Sequence, residues 1–163
     1  MVNFLTGEAS TDLFGGEVPP QAKALVEQAR SEPNPERALA LLWTAQVCAP
    51  QCPSLYYLLY KFYARHADFD QAEEAALKGL DVAAEQAHLP DDWRVVTPEM
   101  GDFTSPGPAR FWVFTLKALA FIRLRKQDRA AAQAYLAKVQ ELDPQGGSGA
   151  GVIASLIEGS QPG

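Results

Sequence analysis

Apolar side chains recur every three or four positions along much of this chain, which is the spacing of one face of an α-helix. The pattern is clearest over residues 53–84, where two such stretches flank a short polar segment at 66–70. The first stripe consists of Leu55, Tyr56, Leu59, Tyr60 and Tyr63, and the second of Ala72, Ala75, Ala76, Gly79 and Leu80. Small residues on the second stripe allow close approach of helix backbones. The pattern therefore predicts two antiparallel helices joined by a tight turn.

The same spacing predicts further helices elsewhere in the chain, at 19–31, 35–48, 109–126 and 128–142, and a short one at about 152–158. Asn34 is the expected N-cap of the second helix. Four prolines and two glycines exclude a long helix over 88–108, where Trp93–Val96 is a β-prone run. We interpret this segment as a flap over a groove or a wedge between helical units, anchored by Trp93 and Phe103.

The apolar pattern repeats along the chain. Leu25 and Leu59 are 34 positions apart, and Ala38 and Ala72 have the same separation. Residues 128–132 match residues 68–72 at a distance of 60, which is one further period of 34 with 26 additional residues between the copies. Because one helix pair cannot bury its own apolar face, repetition of this kind predicts a stack of such pairs.

Residues 53–84 resemble a tetratricopeptide repeat, a helix-turn-helix unit of about 34 residues. The likeness rests on an aromatic residue early in the first helix, a leucine and a tyrosine on later turns, and Asp-aromatic-x-x-Ala at 68–72. Prolines end the first and third copies at Pro50 and Pro144, whereas Arg123 stands where the family prefers tyrosine. The resemblance implies an all-α fold, a short right-handed α-solenoid of three repeats with a C-terminal capping helix. Its expected parts are an N-terminal arm (1–18), one domain (19–158) with repeats at about 19–52, 53–87 and 109–144, an insertion (88–108), a cap (150–158) and a tail (159–163).

Composition narrows the class of protein. The 163 residues are 47% apolar and 21% charged, as expected of one globular domain. No stretch of 18 apolar residues and no secretory signal are visible, so we expect no membrane span and a cytoplasmic location. The net charge of −6 disfavours nucleic acid as the ligand.

Motifs for catalysis or cofactor binding are not apparent, so we expect a non-enzymatic protein without cofactor or metal. Cys48 and Cys52 lack further ligands at metal-site spacing and are interpreted as small residues at a helix elbow. The acidic residues of 88–108 lack the periodicity of a calcium loop. The glycines at 146–151 follow a helix and lack a lysine, which favours a linker over a phosphate loop.

Charged residues are sorted between the predicted helices. The first helices of the three units carry nine basic residues and one acidic residue, whereas the second helices carry four basic and ten acidic residues. In the family that the chain resembles, the first helices line the concave surface, so the resemblance implies a basic groove. The alternative explanation is that these residues are ordinary solvent-exposed surface charges, and that the basic ones lie near helix C-termini because the helix dipole favours positive charge there.

These observations favour an adaptor that binds a peptide or protein segment, possibly acidic, in the groove. Carrying the inward positions of the family onto this sequence gives the candidate contacts Lys23, Tyr57, Lys61, Arg65, Phe114, Lys117, Phe121 and Arg125. Lys61 and Lys117 are expected to lie off the packing stripes.

The alternative function is that of a chaperone for an exported client protein. The chain is similar in size and acidity to the three-repeat chaperones of type III secretion, and residues 109–112 are similar to the start of a helix in those chaperones. A third possibility is a homodimer formed through Trp43, Trp93 or Trp112.

Overall fold

The computed structural model describes residues 18–146 and 155–156, and this part of the chain is helical without a β-strand. The all-α prediction is therefore confirmed for the described residues. Six α-helices are present in them: α1 (Pro20–Ser31), α2 (Pro35–Cys48), α3 (Pro53–Arg65), α4 (Phe69–Ala87), α5 (Pro108–Arg125) and α6 (Arg129–Leu142). Two short 3₁₀ helices, Trp93–Val95 and Pro98–Met100, lie between α4 and α5.

Side-chain caps begin the second helix of each pair. Asn34 Oδ1 accepts hydrogen bonds from the backbone N–H groups of Glu36 and Arg37, at 2.9 and 3.2 Å. Asp68 and Asp128 cap α4 and α6 in the same way, by accepting from the N–H groups three residues further on. Each cap satisfies backbone donors that have no partner within the helix. The three caps are separated by 34 and 60 residues, as the sequence repetition predicts.

The turns before Asp68 and Asp128 have the same backbone geometry. Ala67 and Gln127 both adopt the left-handed conformation, with φ of 60° and 66°. The N–H of the capping aspartate then bonds to a carbonyl five residues back, at 2.9 Å in both turns. This closure satisfies a carbonyl at the end of the first helix and reverses the chain sharply.

Helix packing follows the order of the chain. Each α-helix contacts the next one, and α3 also contacts α5. Ala38, Ala72 and Ala132, which are separated by 34 and 60 residues in the sequence, are all buried. The helices consequently form three hairpins, α1–α2, α3–α4 and α5–α6, around a shared apolar interior.

The segment between α4 and α5 is fixed against α6. Val96 is fully buried, and its carbonyl accepts a hydrogen bond from Lys138 Nζ at 2.7 Å. The ring of Trp93 stacks on that of Tyr135 at 4.7 Å, and Phe103 is buried beside Trp112. Trp93 and Phe103 thus make the contacts expected of anchors.

The β-prone interpretation of Trp93–Val96 is wrong, because residues 93–95 form a 3₁₀ turn. Asp92 caps this turn by accepting from the N–H of Arg94 at 3.0 Å. No strand in the described part of the chain offers a partner, so local hydrogen bonding decides the backbone conformation.

Several predicted parts lie outside the described residues: the arm apart from Val18, the tail, and the cap apart from Ser155 and Leu156. Val18 packs against the core, whereas Ser155 and Leu156 are helical and exposed. Within 18–146 and 155–156, no helix has both the length and the apolar composition needed to cross a bilayer.

Candidate functional site

A cleft of about 470 Å³ opens between α1, α2 and α3. We call it the N-terminal cleft. Its lining comprises Val26, Ala29, Arg30, Glu32, Pro33, Pro35, Ala38, Leu42, Leu58, Lys61, Phe62, Arg65 and His66. The volume lies within the range of about 300–1,000 Å³ that is common for binding sites in proteins.

The floor of the N-terminal cleft is apolar. Val26 comes from α1 and Ala38 and Leu42 come from α2, and all three are buried. Leu58 and Phe62 come from α3 and are half-buried, so part of each side chain is accessible. A ligand with a branched aliphatic or aromatic side chain could therefore exchange water contact for contact with this floor.

Positive charge surrounds the floor. Lys61 and Arg65 lie one turn apart on α3, and Arg30 comes from the last turn of α1. Arg30 forms an exposed ion pair with Glu27 at 2.7 Å, and Glu32 is the acidic residue of the cleft lining. Arginine and lysine are the side chains that pair with carboxylates. The cleft is thus suited to a ligand that combines apolar and acidic groups.

Lys61 has an altered protonation equilibrium. Its Nζ donates a hydrogen bond to the Tyr57 hydroxyl at 3.3 Å and lies 5.2 Å from the centre of that ring. Desolvation by burial, together with the charge of Arg65, lowers the pKa of Lys61 to about 8. The lysine is mainly charged at pH 7 and loses its charge as the pH rises through 8.

His66 forms the end of the cleft beyond α3. Its ring stacks on that of Phe62 at 4.2 Å, and its Nδ1 lies 2.8 Å from the Phe62 carbonyl oxygen. These contacts hold the imidazole beside the apolar floor. Phe62 and His66 were not among the contact residues predicted from the sequence. A signal was nevertheless present, because Leu58 and Phe62 are apolar residues that lie off the predicted stripe of α3 and therefore indicate a second apolar surface on that helix.

The structure does not bring the eight predicted contact residues together on one surface. Lys61 and Arg65 line the N-terminal cleft, whereas Lys23 is exposed on α1 and does not line it. Tyr57 is buried behind Lys61, with 1% of its surface exposed. The remaining four residues of that set, two aromatic and two basic, lie on α5 and belong to two separate clusters.

One of these clusters lies at the end of α5. The Arg125 guanidinium lies 5.0 Å from the ring of Phe69 and 5.9 Å from that of Phe121. Phe69 and Phe121 meet edge to face at 6.4 Å. Phe121 is half-buried and Arg125 exposed, so this cluster is a small aromatic and cationic patch on the surface, distinct from the N-terminal cleft.

The other cluster surrounds Lys117, which was expected to lie off the packing stripe; this expectation is wrong. Lys117 is 1% exposed, and its Nζ lies 4.7 Å from the centre of the buried Phe114 ring. Burial and the nearby charge of Arg110 lower the pKa of Lys117 to about 8, while the charge of Asp143 acts in the opposite direction. The cause is the position of α5, which contacts α3, α4 and α6 and has no broad solvent-facing side near its middle.

The sorting of charges between helices also has a structural explanation. Arg123 on α5 forms an ion pair with Glu73 on α4 at 2.7 Å, and Lys126 pairs with Asp70 at 2.7 Å. Bases at the end of α5 therefore face acidic side chains of α4. The basic excess on α1, α3 and α5 does not form one continuous surface.

The tryptophans differ in accessibility. Trp112 is 1% exposed, so it cannot provide the homodimer contact that its sequence position suggested. Trp43 donates a hydrogen bond from Nε1 to the Tyr63 hydroxyl at 2.8 Å and thus joins α2 to α3. This agrees with the interpretation that Trp43 packs against the neighbouring unit.

The described residues contain no group of three or more His, Cys, Asp and Glu side chains that could hold a metal ion. Cys48 and Cys52 are free thiols at the α2–α3 elbow.

No family model, no curated protein and no solved structure matches this chain. Its function is therefore inferred from the geometry and charge of the N-terminal cleft.

Proposed function

We propose that this protein is a non-catalytic interaction module that binds an acidic peptide or protein segment through the N-terminal cleft. The observation that carries the proposal is the combination, in one cleft, of an apolar floor with Arg30, Lys61 and Arg65 around it. The module is a short right-handed solenoid of three tetratricopeptide-like repeats.

Recurrent local geometry supports the repeat architecture. The capping residues Asn34, Asp68 and Asp128 recur at separations of 34 and 60, and two of the three turns have the same backbone conformation. The packing of each helix on the next, together with the α3–α5 contact, is the arrangement that stacked helical hairpins require.

The shape and charge of the cleft favour a peptide over a nucleic acid. The overall charge of −6 repels a polyanion, whereas three cations in one cleft can pair with a few carboxylates at short range. A volume of about 470 Å³ admits a small number of side chains rather than a folded surface.

Neither charge nor apolar contact suffices alone. An exposed ion pair contributes only about 0.2–1 kcal/mol, so several pairs must act together. An apolar side chain that enters the floor beside Leu58 and Phe62 would supply the anchor, since buried anchors dominate the affinity of most interfaces. The expected ligand therefore has acidic residues next to a leucine, phenylalanine or similar side chain.

The proposal can be tested by selecting peptides from a random dodecapeptide library against the immobilised full chain. Enriched peptides should contain acidic residues beside apolar ones. Arg65→Glu should weaken the binding of a selected peptide at least tenfold, because it places a carboxylate in the cleft. The matched control is Arg94→Glu, an exposed arginine of the 88–108 segment with 72% of its side-chain surface accessible, which should leave the affinity unchanged.

Circular dichroism of both variants establishes that the helical content is retained. Enrichment of neutral or basic peptides would overturn the proposal, as would equal affinities of the Arg65 and Arg94 variants for the selected peptide.

A further inference from the structure

Residues 1–17 have a composition complementary to the N-terminal cleft. They contain three acidic residues, Glu8, Asp12 and Glu17, and no lysine or arginine. Their larger apolar residues include two adjacent pairs, Phe4–Leu5 and Leu13–Phe14. This combination of acidic and apolar side chains is the one that the cleft is expected to bind.

The connection to α1 places this segment within reach of the cleft. The chain enters α1 at Pro20 through Val18, whose side chain packs against the core. Arg30 lies in the last turn of α1, twelve positions after Val18. At a rise of 1.5 Å per residue, this separation corresponds to roughly 18 Å along the helix axis. An extended chain covers about 3.3 Å per residue, so six residues span that distance. Asp12 and all residues before it can therefore reach the level of Arg30.

We propose that residues 4–14 bind in the N-terminal cleft of the same chain and compete there with the external segment. Phe4 and Leu5 would contact the floor at Leu58 and Phe62, and Glu8 and Asp12 would pair with Arg30, Lys61 and Arg65. The competition rests on the proposed function, whereas the docking of residues 4–14 stands on complementarity and reach alone.

Tethering makes such an internal ligand effective even where its contacts are weak. A segment that is joined to its binding site by a few residues of the same chain has an effective concentration there in the millimolar range. The apparent affinity for an external peptide is then reduced by the fraction of molecules in which the cleft is occupied. External ligands must therefore bind more tightly than the tethered segment in order to displace it.

Photo-crosslinking of the full chain tests the docking directly. Phe4 is replaced by p-benzoylphenylalanine, which keeps an aromatic side chain, and the dilute protein is irradiated without added peptide. The expected product is an intramolecular cross-link to the cleft lining, within residues 26–42 or 58–66, identified by mass spectrometry. The control is Met100→p-benzoylphenylalanine on the 88–108 segment, which is 42% exposed, does not line the cleft and should not cross-link to it.

Neutralising the acidic residues gives a second measurement. Glu8→Gln/Asp12→Asn in the Phe4-labelled chain should reduce the cleft cross-link at least threefold. In the unlabelled chain the same change should raise the affinity for a library-selected peptide at least threefold. Main products that join Phe4 to another surface, or that join two chains, would overturn the inference.

The two proposals fail separately. A cleft cross-link in the labelled chain, together with no selection of acidic peptides even by the Glu8→Gln/Asp12→Asn chain, would sustain the internal docking and refute the proposed function. Binding of an acidic peptide that depends on Arg65, together with a Phe4 cross-link elsewhere, would sustain the proposed function and refute the internal docking.

Discussion

Lys61 and Lys117 have similar sequence surroundings, since each lies on a helix among apolar and aromatic residues. In the structure, Lys61 lines an accessible cleft, whereas Lys117 is buried against Phe114. Burial is the largest cause of the lowered pKa of both lysines, to about 8. The same shift therefore has different consequences: it affects ligand binding at Lys61 and the stability of the fold at Lys117.

The buried position of Lys117 should make stability depend on pH. Its pKa is about 8 in the folded protein and near 10.5 in the unfolded chain, so between these values the unfolded state binds more protons. The free energy of unfolding of the wild type should accordingly rise relative to that of Lys117→Met as the pH increases from 8 to 10, by up to about 1.4 kcal/mol per pH unit. Below pH 8 the difference should be constant.

Urea denaturation at pH 7, 8, 9 and 10 measures this difference. Lys23→Met is the matched control, because Lys23 is exposed and its removal should give a difference that does not change with pH. A flat profile for Lys117→Met would show that this lysine keeps its proton in the folded state up to pH 10.

At the scale of helices, close backbone approach organises the centre of the molecule. α4 packs against both α3 and α5, and Gly79 lies at this contact. A Cβ atom at position 79 would meet Tyr56 Cβ at 2.8 Å and the edge of the Phe111 ring at 3.2 Å. Because Tyr56 Cβ is attached directly to the α3 backbone, it cannot move away without moving that helix.

Gly79→Ala should therefore destabilise the protein, although alanine is the better helix former by about 1 kcal/mol. Overpacking of a core costs typically about 1–3 kcal/mol, so after the gain in helix propensity we expect a net loss of up to about 2 kcal/mol in the free energy of unfolding. The matched control is Gly101→Ala, where the nearest atom would be an ordinary 3.4 Å away and the backbone is extended. Equal stabilities of the two variants in chemical denaturation would refute the close α3–α4 approach.

At the scale of the whole molecule, charge is distributed unevenly. The protein is acidic overall, with a net charge of −6. The lining of the N-terminal cleft nevertheless contains three basic residues, Arg30, Lys61 and Arg65, and one acidic residue, Glu32. Acidic side chains of α4 are engaged with Arg123 and Lys126 instead. An acidic ligand is consequently attracted locally to the cleft by a molecule that repels it on average.

Binding of a selected acidic peptide should weaken with rising pH. Lys61 loses its positive charge as the pH passes its pKa of about 8. We expect the affinity to fall severalfold between pH 7 and 9. In Lys61→Arg, whose guanidinium stays protonated, this fall should disappear.

Fluorescence anisotropy of the labelled peptide at constant ionic strength provides the measurement, and Lys78→Arg, outside the cleft lining, serves as the control that keeps the wild-type profile. An unchanged pH profile in Lys61→Arg would exclude Lys61 as the titrating group.

The helices, the cap at Asn34 and two of the turns were predictable from the sequence because they depend on neighbours within about five positions. Asn34, Asp68 and Asp128 bond to backbone groups two or three residues away, and the apolar stripes follow from helical geometry. The repetition at 34 and 60 residues then identified the pairs of helices that would have the same local structure.

Only the tertiary structure decided which polar side chains are accessible. The helical spacing predicts that Lys61 and Lys117 both lie off the apolar stripes of their helices. In the structure, however, α5 contacts three other helices, whereas α3 borders a cleft. The cleft itself is made by residues from α1, α2 and α3, and no local pattern specifies how far apart these helices lie. The sequence by itself determined the elements through short-range interactions, and the three-dimensional packing determined the candidate site, because accessibility and pKa depend on groups that are distant in sequence.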